Sequence, residues 1–146
     1  MASELRASQD AFLKALNAHD VAAMGELLAE DVTYWEANLP QPIKGRTAVV
    51  NHYRENWKAF PDASIKMTRR VEQGDLISGE GVWSATHKGP INMPGQPSIP
   101  ATGKRADGKF SSFARVEKGK VKELNIYYDN LGFLAQLGLM PPPGAR

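Results

Sequence analysis

The sequence contains no cysteine among its 146 residues. That absence excludes disulfides, thiolate metal sites and a cysteine nucleophile. The formal net charge is only +2, and the 18 basic residues are scattered rather than gathered into a stripe. Because nucleic-acid binders usually carry such a stripe, no nucleic-acid partner is expected.

Long hydrophobic runs are also missing, since no apolar stretch approaches the ~20 residues that span a bilayer. We therefore expect no membrane partner. The first residues have no apolar core of the signal-peptide type, which predicts a cytoplasmic protein. The three histidines, His19, His52 and His87, are too far apart to show metal-ligand spacing. We expect neither a metal nor a cofactor.

The first 60 residues predict three helices. Apolar residues at helical spacing favour helices at about 4–18 and 48–59, and Asp20 is a good N-cap for a helix at 21–29. Tyr53 and Trp57 belong to the apolar stripe of the third helix. The composition is that of one globular domain over 1–140, followed by a proline-rich tail at 141–146 that we expect to be extended or disordered.

The remainder of the chain predicts strands. Alternation favours strands at about 32–37, 65–72, 76–88, 110–116 and 121–128, with a hairpin turn at Gly74-Asp75. Four prolines in 89–105 predict a long loop of the lid or binding type, and Asp129 predicts the cap of a short last helix. This order predicts the α+β class, with a curved antiparallel sheet wrapped around helices to form a cone with an interior pocket.

Glu36 is the strongest candidate for a functional group. It ends an apolar stretch in which alternation places Val32, Tyr34 and Glu36 on one face of a strand. A carboxylate there would face the interior of a small domain, where desolvation disfavours its charged form. The sequence therefore predicts a general base that works near neutral pH.

Other side chains could complete a catalytic group with Glu36. His52 is a candidate acid partner or orienting group, because histidine titrates near neutral pH. Tyr34, Tyr128 and Ser112 are candidate donors to a developing oxyanion. Asn56, one turn after His52, is a further candidate donor.

Some prominent residues are better explained by packing. Trp57 is the best candidate for a pocket wall among the tryptophans, which are more often core or interface residues. His19 is expected in a helix–helix turn. His87 ends a long strand, and we expect it at the surface.

Ten short patterns, mostly of turn and capping residues, follow one another along the chain. They lie at residues 17–20, 31–33, 45–46, 60–62, 74–75, 86–89, 100–104, 119–121, 129–132 and 136–138. Taken in order, they resemble the nuclear transport factor 2-like superfamily, in particular its SnoaL-like (polyketide cyclase-like) branch. Such residues indicate architecture, and function must be argued from the pocket. The resemblance implies the cone-shaped fold and a homodimer formed through the outer face of the sheet, where Val121, Glu123, Asn125 and Tyr127 would lie.

The resemblance also implies positions for known active-site residues. The catalytic aspartate of ketosteroid isomerases matches Glu36, which retains a base. Their oxyanion-hole tyrosine matches Phe12, which has no donor, and their oxyanion-hole aspartate matches Ser112. We therefore do not expect ketosteroid isomerase activity.

The active-site residues of two other branches are not found at the matching positions of this chain either. In SnoaL-type cyclases the acid/base aspartate matches Ile126, the helix-one tyrosine matches Leu16, and the helix-three asparagine matches His52. Relatives of limonene-epoxide hydrolase need an Asp-Arg-Asp cluster, and no Arg-x-Asp falls within the strands predicted above. Phe12, Leu16 and Ile126 stay candidates for substrate contact only.

The sequence predicts a cofactor-independent general acid–base enzyme of the isomerase, cyclase or dehydratase type. Its ligand would be a small, largely apolar, oxygenated molecule. One alternative is a domain that binds such a ligand without catalysis. A second alternative is water addition of the epoxide hydrolase type.

Overall fold

The structure is a computed structural model that describes residues 3–93 and 95–140. It contains the four predicted helices and a sheet of six strands. The helices are α1 (Glu4–Asn17), α2 (Val21–Leu27), α3 (Arg46–Ala59) and α4 (Asn130–Gln136). The strands are β1 (Leu28–Glu36), β2 (Ile43–Lys44), β3 (Ser64–Gln73), β4 (Leu76–Thr86), β5 (Arg105–Glu117) and β6 (Lys120–Tyr128). The predicted tail at 141–146 lies outside the described residues.

Side-chain caps fix where the helices begin. Asp20 accepts a hydrogen bond from the Ala23 backbone N–H at 3.0 Å, which confirms it as the cap of α2. Asp129 accepts one from the Gly132 N–H at 2.8 Å at the start of α4. The helix α2 ends earlier than predicted, because Leu28 already has extended backbone and opens β1.

The sheet runs in the order β2-β1-β6-β5-β4-β3. Its α+β class is as predicted, with the helices packed against one face. All of its strand pairs are antiparallel except β1 with β6, which is parallel and brings Glu36 opposite Ile126. Alternation within single strands carries no information about that pairing, because β1 and β6 are far apart in the sequence.

Two apolar clusters fill the interior. The first lies between α1, α2, α3 and the sheet, and includes Leu28, Val32, Val49 and Ile77, which are almost fully buried. The second lies where the end of α3 meets β4, β5 and the chain after α4. It consists of Ala59, Phe60, Ala85, Ala106 and Leu137.

The start of β6 differs from the predicted alternation. Val121 is 5% exposed and belongs to the first cluster, so its expected place on the outer face is wrong. The reason is a register shift in the β5–β6 pairing between Arg115 and Val116. This irregularity puts Val121 and Leu124 on the same side, three residues apart.

His87 is the other clear correction, because it is 0% exposed instead of at the surface. Its backbone N–H donates to the Lys104 carbonyl, and its ring nitrogen Nδ1 lies 3.0 Å from the Thr102 hydroxyl. It therefore joins the two ends of the predicted loop, in which Ile91 and Ile99 also pair as an isolated bridge. The strand β5 begins at Arg105, the last residue assigned to the loop from the sequence.

Candidate functional site

Glu36 lies at the end of β1 with a side chain that is 13% exposed. The Tyr34 hydroxyl donates to its Oε2 atom at 2.5 Å. The His52 Nε2 atom lies 3.3 Å from its other oxygen, Oε1. Each carboxylate oxygen thus has one partner, and a charged acceptor strengthens such bonds. We call Tyr34, Glu36 and His52 the Glu36 group.

Strand and helix geometry bring these three residues together. Tyr34 and Glu36 are two positions apart on β1, so their side chains project from the same face. His52 comes from the middle of α3, which packs across β1. Its side chain is 20% exposed, so the group keeps some contact with solvent. A general base with a histidine partner and a route for protons to solvent is the arrangement that acid–base catalysis needs.

Two tyrosines lie near the carboxylate, Tyr34 fully buried and Tyr128 half-buried. Burial raises the pKa of Tyr34 well above its usual value, and the Glu36 charge adds to the rise. Burial likewise raises the pKa of Tyr128, again with a contribution from Glu36. Both hydroxyls therefore stay protonated and can act as hydrogen-bond donors. The Tyr128 ring packs against Trp83 and Phe133, at centroid distances of 6.4 and 6.3 Å.

An apolar cavity with a volume of about 40 Å³ lies between α1, α3 and the sheet. Its lining includes four of the predicted contact residues, namely Phe12, Leu16, Ser112 and Ile126. A cavity of this size is larger than the ~10–15 Å³ that one water needs and far smaller than the ~150 Å³ site known to hold benzene. A ligand larger than a few atoms would therefore need the cavity to widen.

The Glu36 group does not itself line this cavity, and Tyr53 connects the two. Tyr53 lines the cavity and packs edge-on against Phe12, with ring centroids 6.4 Å apart. It also packs edge-on against Tyr34, with ring centroids 5.3 Å apart. The sequence placed Tyr53 only in an apolar helical stripe, and nothing in the local pattern separates a buried tyrosine that packs from one that binds. Its place next to Tyr34 depends on how α3 crosses β1.

Trp57 and Asn56 lie outside the cavity lining. The Trp57 ring stacks on His19 at 4.6 Å and packs against Tyr53 at 5.7 Å, within the first cluster. His19 lies in the turn between α1 and α2, as predicted, and its Nε2 atom is 2.9 Å from the Ala63 carbonyl oxygen. Asn56 is half-buried one turn after His52. Roles for Trp57 and Asn56 in substrate binding stay predictions.

An Arg-x-Asp pattern does occur in a strand, contrary to the sequence analysis. Because β5 begins at Arg105, the pattern Arg105-Ala106-Asp107 lies within it. The two charged side chains form an ion pair at 3.6 Å but are 63% and 65% exposed. They face solvent, so they do not form an enclosed cluster that could activate a water molecule.

Within residues 3–93 and 95–140, no three histidine or acidic side chains come together as a metal site would require. Over the same residues, no helix has the length and apolar character needed to cross a bilayer.

Comparison with solved structures finds the same fold in proteins of several descriptions. IdmH from Streptomyces antibioticus, a proposed polyketide cyclase, is 25% identical, with a TM-score of 0.74 over 93% of this chain and 99% of that one. AclR from Streptomyces galilaeus, a proposed hydroxylase, is 22% identical, with a TM-score of 0.76 over 94% and 98%. An LEH-like epoxide hydrolase from M. tuberculosis is 17% identical, with a TM-score of 0.73 over 92% and 89%.

No curated protein matches by sequence. A family model, described as SnoaL-like polyketide cyclase, matches residues 6–137. That span runs from α1 to the residue after α4, and it confirms the resemblance found in the turn and capping residues. The chain therefore belongs to the SnoaL-like polyketide cyclase family.

Proposed function

We propose that this protein is a cofactor-independent general acid–base enzyme of the isomerase, cyclase or dehydratase type. The observation that carries the proposal is the Glu36 carboxylate, largely buried and held by the Tyr34 hydroxyl and His52. A carboxylate fixed in this way is oriented for proton transfer before a substrate arrives. Largely buried carboxylates that face a histidine are common at functional sites.

The reaction begins with removal of a proton from carbon next to a carbonyl group. The C–H bond breaks, the proton goes to Glu36, and the electron pair forms an enolate. O–H donors stabilise the enolate oxygen, with Tyr128 as the candidate, and His52 exchanges the proton with solvent. Return of the proton to another carbon gives isomerisation. In dehydration a β-hydroxyl leaves as water with the proton from Glu36. In cyclisation the enolate carbon attacks a second carbonyl, and the oxygen of that carbonyl takes the proton.

The experiment is Glu36→Gln, assayed against a panel of enolisable ketones and β-hydroxy carbonyl compounds. The variant keeps the shape of the side chain but removes the base, so turnover should fall by about 10²–10⁴-fold. Glu30→Gln is the matched control, since it removes an exposed carboxylate from the same strand. Unchanged turnover in Glu36→Gln would remove Glu36 from the mechanism.

A domain that binds a ligand without turnover is the second candidate. The place of the Glu36 group outside the cavity lining favours this alternative, because a ligand in the cavity would not touch the base. It predicts saturable binding of panel compounds with no product. Water addition of the epoxide hydrolase type is distinguished by ¹⁸O-labelled solvent, because only that reaction places solvent oxygen in the product.

We also propose a homodimer formed through the outer face of the sheet. Register places Trp35, Phe113 and Val71 in one row across it, and Phe113 and Val71 are 40% and 70% exposed. Tyr127, 50% exposed, packs against Trp35. Exposed aromatic and aliphatic side chains gathered on one face are typical of protein interfaces. Native mass spectrometry should give twice the chain mass.

A cytoplasmic location also stays a prediction.

A further inference from the structure

The Tyr53 hydroxyl is a buried polar group that the Glu36 group does not use. It has no hydrogen-bond partner among residues 3–93 and 95–140. A buried hydroxyl without a partner reduces the stability of a folded protein, so its presence calls for an explanation. Tyr53 is one of only a few polar residues in the lining of an otherwise apolar cavity.

The other polar lining groups are placed differently. The Gln9 amide oxygen already accepts a hydrogen bond from the Arg70 guanidinium at 3.2 Å. Ser112 lies on β5, on the sheet side of the cavity, whereas Tyr53 comes from α3 and contacts Tyr34. Tyr53 alone among them packs against a member of the Glu36 group.

The Tyr53 hydroxyl is a donor over the whole working pH range. Burial is the main cause that raises its pKa; the nearby Tyr34 hydroxyl opposes the rise, and the Glu36 charge adds to it. The group therefore keeps its proton and needs an acceptor. The Tyr34 hydroxyl oxygen is close to it, but the two groups are outside hydrogen-bond geometry. Phe12, which packs edge-on against this ring, supplies none.

We infer that Tyr53 binds the carbonyl oxygen of a ketone whose apolar part enters the cavity and widens it. A ketone satisfies the donor and brings no donor of its own, whereas an alcohol would add an O–H to an apolar lining. The inference rests on the proposed function in taking this cavity as the ligand site. It names the substrate group and adds Tyr53, beside Tyr128, as a donor to that oxygen.

The first test is thermal unfolding of Tyr53→Phe without ligand. Removal of an unpartnered hydroxyl should leave the melting temperature unchanged or raise it. The matched control is Tyr34→Phe, which removes a hydroxyl that donates to a carboxylate and should lower the melting temperature by roughly 5 °C. An equal loss in Tyr53→Phe would mean that the hydroxyl has a structural partner, and would overturn the inference.

The second test measures binding without any turnover, using a ketone and a hydrocarbon of the same shape. Cyclopentanone and methylenecyclopentane are titrated into wild type and Tyr53→Phe and followed by amide NMR shifts. The substitution should weaken cyclopentanone binding about tenfold more than it weakens methylenecyclopentane binding. Equal weakening of the two probes, or no binding of either probe, would overturn the inference. Because Glu36 is intact in both proteins, these outcomes are independent of the Glu36→Gln assay.

Discussion

His52 and His87 occupy opposite kinds of region. His52 keeps a side-chain exposure of 20% and lies beside a carboxylate, next to the cluster that holds the cavity. His87 is 0% exposed, and the Thr102 backbone N–H and hydroxyl both lie within 3.3 Å of its Nδ1. The first setting allows proton exchange. The second joins two ends of a loop, and the comparison shows that burial alone does not identify a functional histidine.

Replacing each histidine by alanine should have the largest effects. Loss of His52 should mainly lower turnover, and loss of His87 should mainly lower the free energy of unfolding. His52→Ala should lower turnover by about 10²-fold or more, because it removes the acid partner of Glu36. Its cost in the free energy of unfolding should be only about 0.5–1.5 kcal/mol. His87→Ala should show the reverse, with a cost of about 2–4 kcal/mol from a lost buried ring and loop contacts.

Chemical denaturation and steady-state assays on both variants check this prediction. Turnover of His87→Ala is compared per folded molecule, and should stay within about twofold of wild type. If both variants lose turnover and stability alike, the two regions do not differ in the way described.

The settings of His52 and His87 also differ in packing, because the cavity lies in the first cluster, near His52. A matched pair of substitutions on β5 tests this difference between the two clusters. Ala114 lines the cavity, whereas Ala106 is 1% exposed within the second cluster. Ala106→Val should cost about 1–3 kcal/mol through overpacking. Ala114→Val has a cavity to fill and should be neutral or stabilising by about 0.5–2 kcal/mol. Denaturant midpoints measure both, and a large cost at Ala114 would show that the cavity is not available space.

The smallest expected effect is the change in folding stability with pH that results from the burial of His87. Burial lowers the pKa of His87 from its ordinary value of 6.5. Below that pH the unfolded chain binds a proton that the folded chain does not, so stability falls as the pH decreases towards the folded pKa. The slope due to one proton is at most about 1.4 kcal/mol per pH unit. His87→Ala should flatten the wild-type curve below pH ~6.5, and denaturation at several pH values measures it.

The arrangement of His87 explains why protonation would disturb the loop. The Thr102 N–H donates to Nδ1, so the neutral ring carries its hydrogen on Nε2. A second proton would have to enter at Nδ1 and displace that bond. An unchanged slope in His87→Ala would mean that another group causes the acid sensitivity.

Local patterns in the sequence predicted much of the fold. Asp20 and Asp129 cap helices as expected, because capping depends on neighbouring residues. The burial of His87 was missed, since it follows from Thr102, which lies in a loop whose path the sequence does not specify. Val121 was misplaced because a register shift interrupts the alternation.

Of the candidate site, the part that lies on one strand was predictable from the sequence, and the part that depends on the packing of α3 was not. Alternation on β1 placed Tyr34 and Glu36 on one face, and they are hydrogen-bonded. The proximity of His52 was proposed from chemistry, and the contact at 3.3 Å depends on how α3 packs on the sheet. Tyr53 was not predicted as a site residue, because an unpartnered hydroxyl is visible only when every neighbour is known.

The central claim is that Glu36 removes a proton from carbon next to a carbonyl. The most direct measurement is deuterium exchange at the α-carbons of cyclopentanone in D₂O, followed by proton NMR with wild type, Glu36→Gln and Glu30→Gln. We predict that wild type and Glu30→Gln accelerate the exchange above the buffer rate and that Glu36→Gln does not. Equal acceleration by wild type and Glu36→Gln, or no acceleration by any of the three proteins, would contradict the claim.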